Sequence, residues 1–324
     1  MTTFAGSTLG YADGNGTNAQ FYYPSGISIG PDGVIYVADT WNNRIRKITS
    51  SGVVSTIAGG VAGDLDGQGT AAKFNKPTDV AMDKNGNLYV ADLFNNKIKK
   101  ITPDGMVTTI AGSTAGYQDG QGLTAKFKGP GSLVVNANGT IYITESLDIR
   151  AIAPDGTVST FAGSANSSGH TDGQGWLARF NGITGITIDQ DGNLFVGDFV
   201  NTMIRKILPD GTVSTVSGSA FGHLDGAAAI ARFATPSGVA VDSQGAIYVS
   251  DFGYEDAYGT FYAFIRKIGT DGNVSTIAGG VSGNKDGRGP AAQFSQPYDV
   301  VIDANGSLYV SDNYNCNIRK IVIK

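Results

Sequence analysis

An all-β fold, a six-bladed β-propeller with four antiparallel strands per blade, is predicted by three features of the 324-residue sequence: a sixfold internal repeat, four short strand patterns per repeat, and complementary ends. The repeat is plainest where "DGNGTNAQF" at Asp13 returns as "DGQGTAAKF" at Asp66, "DGQGLTAKF" at Asp119, "DGQGWLARF" at Asp172, "DGAAAIARF" at Asp225 and "DGRGPAAQF" at Asp286. Aligning the "TFAG/TIAG" elements puts Phe4, Ile57, Ile110, Phe161, Val216 and Ile277 in register, at spacings of 53, 53, 51, 55 and 61 residues. Six such units fill the chain. One propeller domain over 1–324 is therefore expected, with repeats near 1–52, 53–105, 106–156, 157–211, 212–272 and 273–324.

The strands follow from alternation. In the second unit they are "TDVAMD" (78–83), "NLYVAD" (87–92), "KIKKI" (97–101) and "MVTTIAG" (106–112), separated by Asn-Gly and Pro-Asp-Gly turns that allow tight reversals. No 3.6-residue period is sustained, which excludes a helical solenoid. The N-terminal "TTFAG" (2–6) reads as a fourth strand without its first three, and the chain ends after a third strand, "NIRKIVIK" (317–324). Pairing the two closes the ring and removes an exposed pair of edges.

Composition narrows the function classes. With 47 glycines, 10 prolines and 41% hydrophobic residues, the chain reads as turn-rich and core-forming. A net charge of −5 with no run of one sign argues against a nucleic-acid partner. No apolar run approaches a membrane span and "MTTFAGSTLG" has neither a charged n-region nor an h-region, so membrane insertion is not expected. The single cysteine, Cys316, offers no disulfide framework and no zinc cluster. Abundant Gly, Ser, Thr, Asn and Asp with few charges fit a secreted or cell-surface bacterial protein, and a closed ring needs no second subunit, so a monomer is expected.

"LYVADLFNNKIKKI" (88–101) and "IYVADTWNNRIRKI" (35–48) resemble NHL repeats, whose units carry an aspartate after the second strand and an Asn-rich turn into a basic-apolar third strand. The resemblance spans all six units and implies a propeller. For function it implies a range: sensor ectodomains, protein-binding and RNA-binding modules, and lyases. NHL-type amidating lyases use a histidine set around zinc near the axis. His170 and His223 are the only histidines here, too few for that set, so the activity does not carry over.

Residues present in every blade are explained more simply by the fold than by one site. The recurrent Asp-Gly reads as a turn former or helix N-cap, followed by an alanine and a phenylalanine that pin the blade edge. Asp64 and Asp66 imitate the start of a calcium loop, but the alternating oxygen ligands and the bidentate glutamate are missing. The strand-end acids Asp39, Asp92, Glu145, Asp198, Asp251 and Asp312 are expected to pair with the third-strand bases Arg46, Lys99, Arg150, Arg205, Arg266 and Arg319.

Function is sought where the blades differ, on the loops of the upper face. Blade five inserts "FGYEDAYGTFYAF" between Asp251 and Ile265, eight residues more than blade one, bringing Tyr254, Tyr258 and Tyr262. At the channel mouth blades two and six carry Asp79 and Asp299, the latter after Tyr298, where other blades have Gly or Ser. Two residues past the strand-end acid, blades one, two and six carry Trp41, Phe94 and Tyr314. Carboxylates beside flat aromatic faces suit sugars or cationic peptide side chains. The expected function is non-enzymatic recognition of a carbohydrate, peptide or protein on the upper face. The rival is a lyase or hydrolase at the channel mouth using Asp79 and Asp299, with or without a divalent ion such as calcium. The two histidines are the weakest metal candidates, and no cofactor is expected otherwise.

Overall fold

The computed structural model describes residues 1–323, whose strands fall into six antiparallel sheets. The innermost strands are Pro24–Ile29, Pro77–Met82, Leu133–Val135, Ile183–Ile188, Pro236–Val241 and Pro297–Ile302. Each packs on the next, and the last packs on the first, which closes the ring. Blade one continues outward through Ile35–Asp39, Arg44–Ile48 and Val53–Gly59, and blades two to five repeat that order. In blade six the outermost strand is Thr2–Gly6, paired with Asn317–Val322 so that Thr2 faces Lys320. The ring closes as the ends of the sequence imply.

Five blades carry a fifth strand that the sequence does not announce. The Asp-Gly segments Gly14–Asn15, Gly67–Gln68, Gly120–Gln121, Gly173–Gln174 and Gly226–Ala227 pair with the outer strand of the blade that follows them. Two residues rich in glycine give no alternation to read. Instead of ending in a helix cap, four of these segments lead into a single 3-10 turn, as at Gly16–Asn18.

A bulge recurs between the third and fourth strands. In blade one Ile45 faces Ala58 and Arg46 faces Thr56, so Ile57 is the extra residue. Phe4, Ile110, Phe161, Val216 and Ile277 hold the same place, and such a bulge adds local twist to each outer strand.

That geometry builds a buried clamp. The Arg46 guanidinium, fully buried, donates to Asp39 at 2.6 Å and to Asp13 at 2.7 Å, and lies 5.1 Å from the centroid of the buried Phe21 ring. Asp13 also accepts the Thr56 N–H at 3.1 Å and its hydroxyl at 3.0 Å. Arg150, Arg205, Arg266 and Arg319 make the same pair of bridges in blades three to six. The Asp-Gly carboxylates thus spend their oxygens on protein donors, which is why six copies exist. Removing one partner of such a buried pair costs about 3–5 kcal/mol, because the other charge is left without compensation.

Candidate functional site

The upper face is where the turn after each second strand meets the long loop before each first strand, joined by bonds such as Trp41 N–H to Tyr22 O at 3.1 Å and Tyr314 N–H to Ser295 O at 3.1 Å. Over blades six, one and two this face carries a run of aromatics. Trp41, 48% exposed, has the Tyr22 ring 5.5 Å and the Tyr23 ring 5.8 Å away, and Tyr23 lies 5.2 Å from Tyr314. The Lys76 ammonium sits 3.2 Å from the centroid of the Trp41 ring, a cation–π contact that links blade two to blade one. Phe94 is exposed nearby in sequence terms but has no aromatic neighbour within this run.

The backbone beneath the run is unusual. Tyr23, Lys76 and Gln296, each immediately before a proline, have φ of 51°, 55° and 63°. Side chains other than glycine cost about 1–2 kcal/mol in this left-handed region, and a following proline favours an extended conformation instead. Blades three and four place Gly129 and Gly182 there, with φ of 78° and 72°. Glycine is thus the unstrained choice, and three adjacent blades keep a side chain. Tyr22, Tyr23, Lys76 and Gln296 are missed by the sequence reading; the signal available in the repeat for the last three is that glycine stands at their position in two other blades.

The channel-mouth acids lie deeper than the aromatics. Asp79 accepts from Val80 N–H at 2.7 Å and Leu133 N–H at 2.8 Å, and from the Ser132 hydroxyl. Asp299 accepts from Val300 N–H at 2.8 Å and Ile27 N–H at 2.9 Å. Each carboxylate therefore ties its own inner strand to that of the following blade. A side chain on Gly26 would overlap the Asp79 carboxylate, and one on Gly238 would come 2.5 Å from Asp299 Cα, which accounts for glycine in the preceding blades. Burial pushes Asp79 up to about 7 and, together with the Asp79 charge, raises Asp299 well above the usual carboxylate range. Burial and then both acids lift Tyr298 to about 12. Below them the channel holds a cavity of about 270 Å³ walled by aliphatic residues such as Ile27, Val80, Leu133 and Val239; above them the space shrinks to about 10 Å³.

The blade-five insertion extends the hairpin itself, as strands Ile247–Glu255 and Phe261–Ile268. Tyr254 and Tyr262 stack on one another at 5.1 Å, and the Tyr262 hydroxyl donates to Asp256 at 3.2 Å, so these rings hold the hairpin together. Tyr258, at the tip, is 94% exposed. His223 stacks on Phe264 at 3.9 Å and bonds Thr276 Oγ1 through Nε2 at 2.8 Å, and burial lowers its pKa. His170 is exposed on the preceding blade's loop. Among the described residues no group of three His, Cys, Asp or Glu side chains is placed to hold a metal ion.

Six antiparallel units of four or five strands closed into a ring define a six-bladed β-propeller. The chain carries NHL repeats: the NHL repeat family matches residues 21–48, 74–99 and 233–255, in blades one, two and five. It is 29% identical to NHL repeat-containing protein 2 of Gallus gallus over 92% of this chain and 46% of that protein, and 26% identical to teneurin-3 of Danio rerio over 97% of this chain and 12% of that protein. The chain spans less than half the length of either relative. An auxiliary nutrient binding protein from Bacteroides thetaiotaomicron superimposes with a TM-score of 0.69 at 18% identity, covering 99% of this chain and 75% of that one. A streptogramin B lyase superimposes with a TM-score of 0.57 at 16% identity, covering 97% of both chains. At these identities the likeness shows the fold alone, and that fold hosts binders and enzymes alike.

Proposed function

We propose that this propeller is a recognition module that takes a peptide or protein segment on the aromatic run of blades six, one and two. The observation that supports it most is the strained backbone at Tyr23, Lys76 and Gln296, which keeps side chains on the upper face where glycine would be unstrained. Trp and Tyr in a cluster are the side chains that dominate binding energy at protein interfaces. A peptide fits better than a sugar because the Trp41 ring already carries the Lys76 ammonium and leans on Tyr22, which leaves ring edges and tyrosine hydroxyls rather than a bare stacking face. Catalysis at Asp79 and Asp299 fits less well: backbone N–H groups occupy their oxygens, and the channel cavity they border is walled mainly by aliphatic side chains. The composition suits a secreted or surface setting for such a module.

The test is selection of peptides from a display library in parallel with a glycan array, using the wild-type chain and a Trp41→Ala/Tyr314→Ala variant. Selected peptides that bind the variant at least tenfold more weakly, with its melting temperature unchanged, support the proposal. Glycans retained in place of peptides assign the run to carbohydrate, and ligands bound equally by both proteins remove it from the site.

A further inference from the structure

Blade three breaks the pattern in a different way. Its acid Glu145 and base Arg150 are five residues apart, whereas Asp39 and Arg46 are seven apart, so the turn above the clamp has lost two residues. In blades one, two, four and six that turn supplies an asparagine, such as Asn42 or Asn201, which donates both to the strand-end acid and to a loop carbonyl. In blade three no asparagine fills the space. A cavity of about 130 Å³ opens instead, lined by Tyr117, Lys128, Glu145, Ser146 and Asp148 among others.

Asp148 is the side chain that gives the cavity its chemistry. It is 1% exposed, and among the described residues neither carboxylate oxygen has a hydrogen-bond partner. A buried acceptor left without donors costs about 1–3 kcal/mol, more when charged, so its retention calls for an occupant that brings N–H groups. The repeat indicates which kind. The residue two before the clamp base is Arg44 in blade one, stacked on Tyr11 at 4.9 Å, and Lys97 in blade two, paired with Asp64. Blade three keeps the tyrosine, as Tyr117, and reverses the charge at that position to Asp148. At that position two blades supply a cation and this one an anion beside a hollow, while the clamp base Arg150 lies 4.6 Å from the centroid of the Tyr117 ring.

We propose that the blade-three cavity binds a small organic cation, a guanidinium or primary ammonium head whose N–H groups satisfy the two free oxygens of Asp148. The volume equals that of about four waters, enough for one such head and little more. Calcium does not fit: it takes six to eight oxygens, whereas Glu145 spends its own on the Lys128 N–H and on Arg150 at 2.9 Å, which leaves one carboxylate. An anion is opposed by Asp148 and Glu145, with Asp119 bound to Arg150 just behind them. Burial, then the charge of Glu145, raises the Asp148 carboxyl to about 7, while Arg150 opposes the rise. The exposed Lys128 at the rim and the Tyr117 hydroxyl, bonded to Thr160, are the remaining titratable groups facing the site. Ligand binding is therefore expected to strengthen as the acid ionises, between pH 5.5 and pH 8.

The experiment is a titration of the 324-residue protein with agmatine, a free guanidinium compound, and with N-acetyl-arginine methylamide, which carries the same head on a peptide backbone. Saturable binding by agmatine alone assigns the site to a free amine, and binding by both assigns it to an arginine or lysine side chain as well. In either case Asp148→Asn is expected to weaken binding at least tenfold, and Ser146→Trp, which fills the mouth from an exposed position, to abolish it. Lys128→Met is expected to tighten binding by removing a like charge. Absence of saturable binding by either probe at tens of millimolar, binding that Asp148→Asn leaves unchanged, or a Lys128→Met variant that loses binding each overturns the proposal. Should Asp148→Asn fail to fold, the Ser146→Trp result decides.

Discussion

Blade one and blade three carry the same clamp, an arginine between two acids over a buried phenylalanine, and differ only in what stands above it. Blade one covers the clamp with a full turn that presents Trp41 and uses Asn42 to close the loop; blade three omits two residues and leaves a buried acid beside a hollow. The comparison separates two kinds of residue. What repeats holds each blade together; of what departs from the repeat, Asp79 and Asp299 tie neighbouring inner strands, whereas the Trp41 turn faces outward and the Asp148 turn opens a space.

The largest expected effect comes from breaking the shared part. Arg46→Ala strands Asp39 in the core and is expected to cost about 3–5 kcal/mol in chemical denaturation. Lys99→Ala in blade two should cost less, because Lys99 bridges Asp64 and Asp66, both partly exposed, and never reaches Asp92. Next comes the channel mouth, where Gly26→Ala pushes a methyl into the Asp79 carboxylate and is expected to destabilise by about 1–3 kcal/mol. Adding Asp79→Ala to Gly26→Ala should restore part of that loss, since the obstructing group is gone; a double-mutant cycle with no coupling would break this account of the glycines.

The difference between the blades also predicts a pH dependence. The Asp148 carboxyl lies near 7 when folded and near 4 when unfolded, so between these values the native state holds a proton that the unfolded chain has released. Its contribution to stability is greatest in acid and falls as pH rises from about 4 to about 7. Asp148→Asn is therefore expected to stabilise the protein by about 1–3 kcal/mol at pH 8 and to leave it nearly unchanged at pH 4, measured by thermal unfolding at both. Asp92, raised to about 7 by burial in the blade that lacks an arginine, behaves alike. Lys99→Arg should supply its missing partner, add about 1 kcal/mol at pH 8, and flatten the same slope. The smallest effect belongs to the hairpin tip, where Tyr258→Ala should change stability by less than about 0.5 kcal/mol.

How much of this the sequence discloses depends on whether the signal lies along the chain or across it. The strands, the ring closure and the pairing of strand-end acids with third-strand bases are local or recur, and alternation and register reveal them. The pairing holds in five blades and fails in blade two, where the shorter, fork-less Lys99 bonds Asp64 and Asp66 instead of Asp92. The fifth strand is two glycine-rich residues long and has no period to detect. Asp79 and Asp299 stand out as departures, yet their bonds run to Leu133 and Ile27 in neighbouring blades, so their stapling of the inner strands emerges only in three dimensions. The Tyr254 and Tyr262 rings occupy the candidate loop but stack within it, leaving Tyr258 and Phe261 as its exposed rings. Tyr23, Lys76 and Gln296 look ordinary until their backbone is seen, and nothing along the chain marks Asp148, whose burial arises only in three dimensions.

The measurement that bears most directly on the separation of scaffold from site is the affinity of a display-selected peptide for three proteins: wild type, Trp41→Ala/Tyr314→Ala, and Asp79→Asn. Binding is expected to be at least tenfold weaker for the aromatic variant and unchanged for Asp79→Asn. Loss of binding in Asp79→Asn with the aromatic variant unaffected would contradict that separation and move the site into the channel.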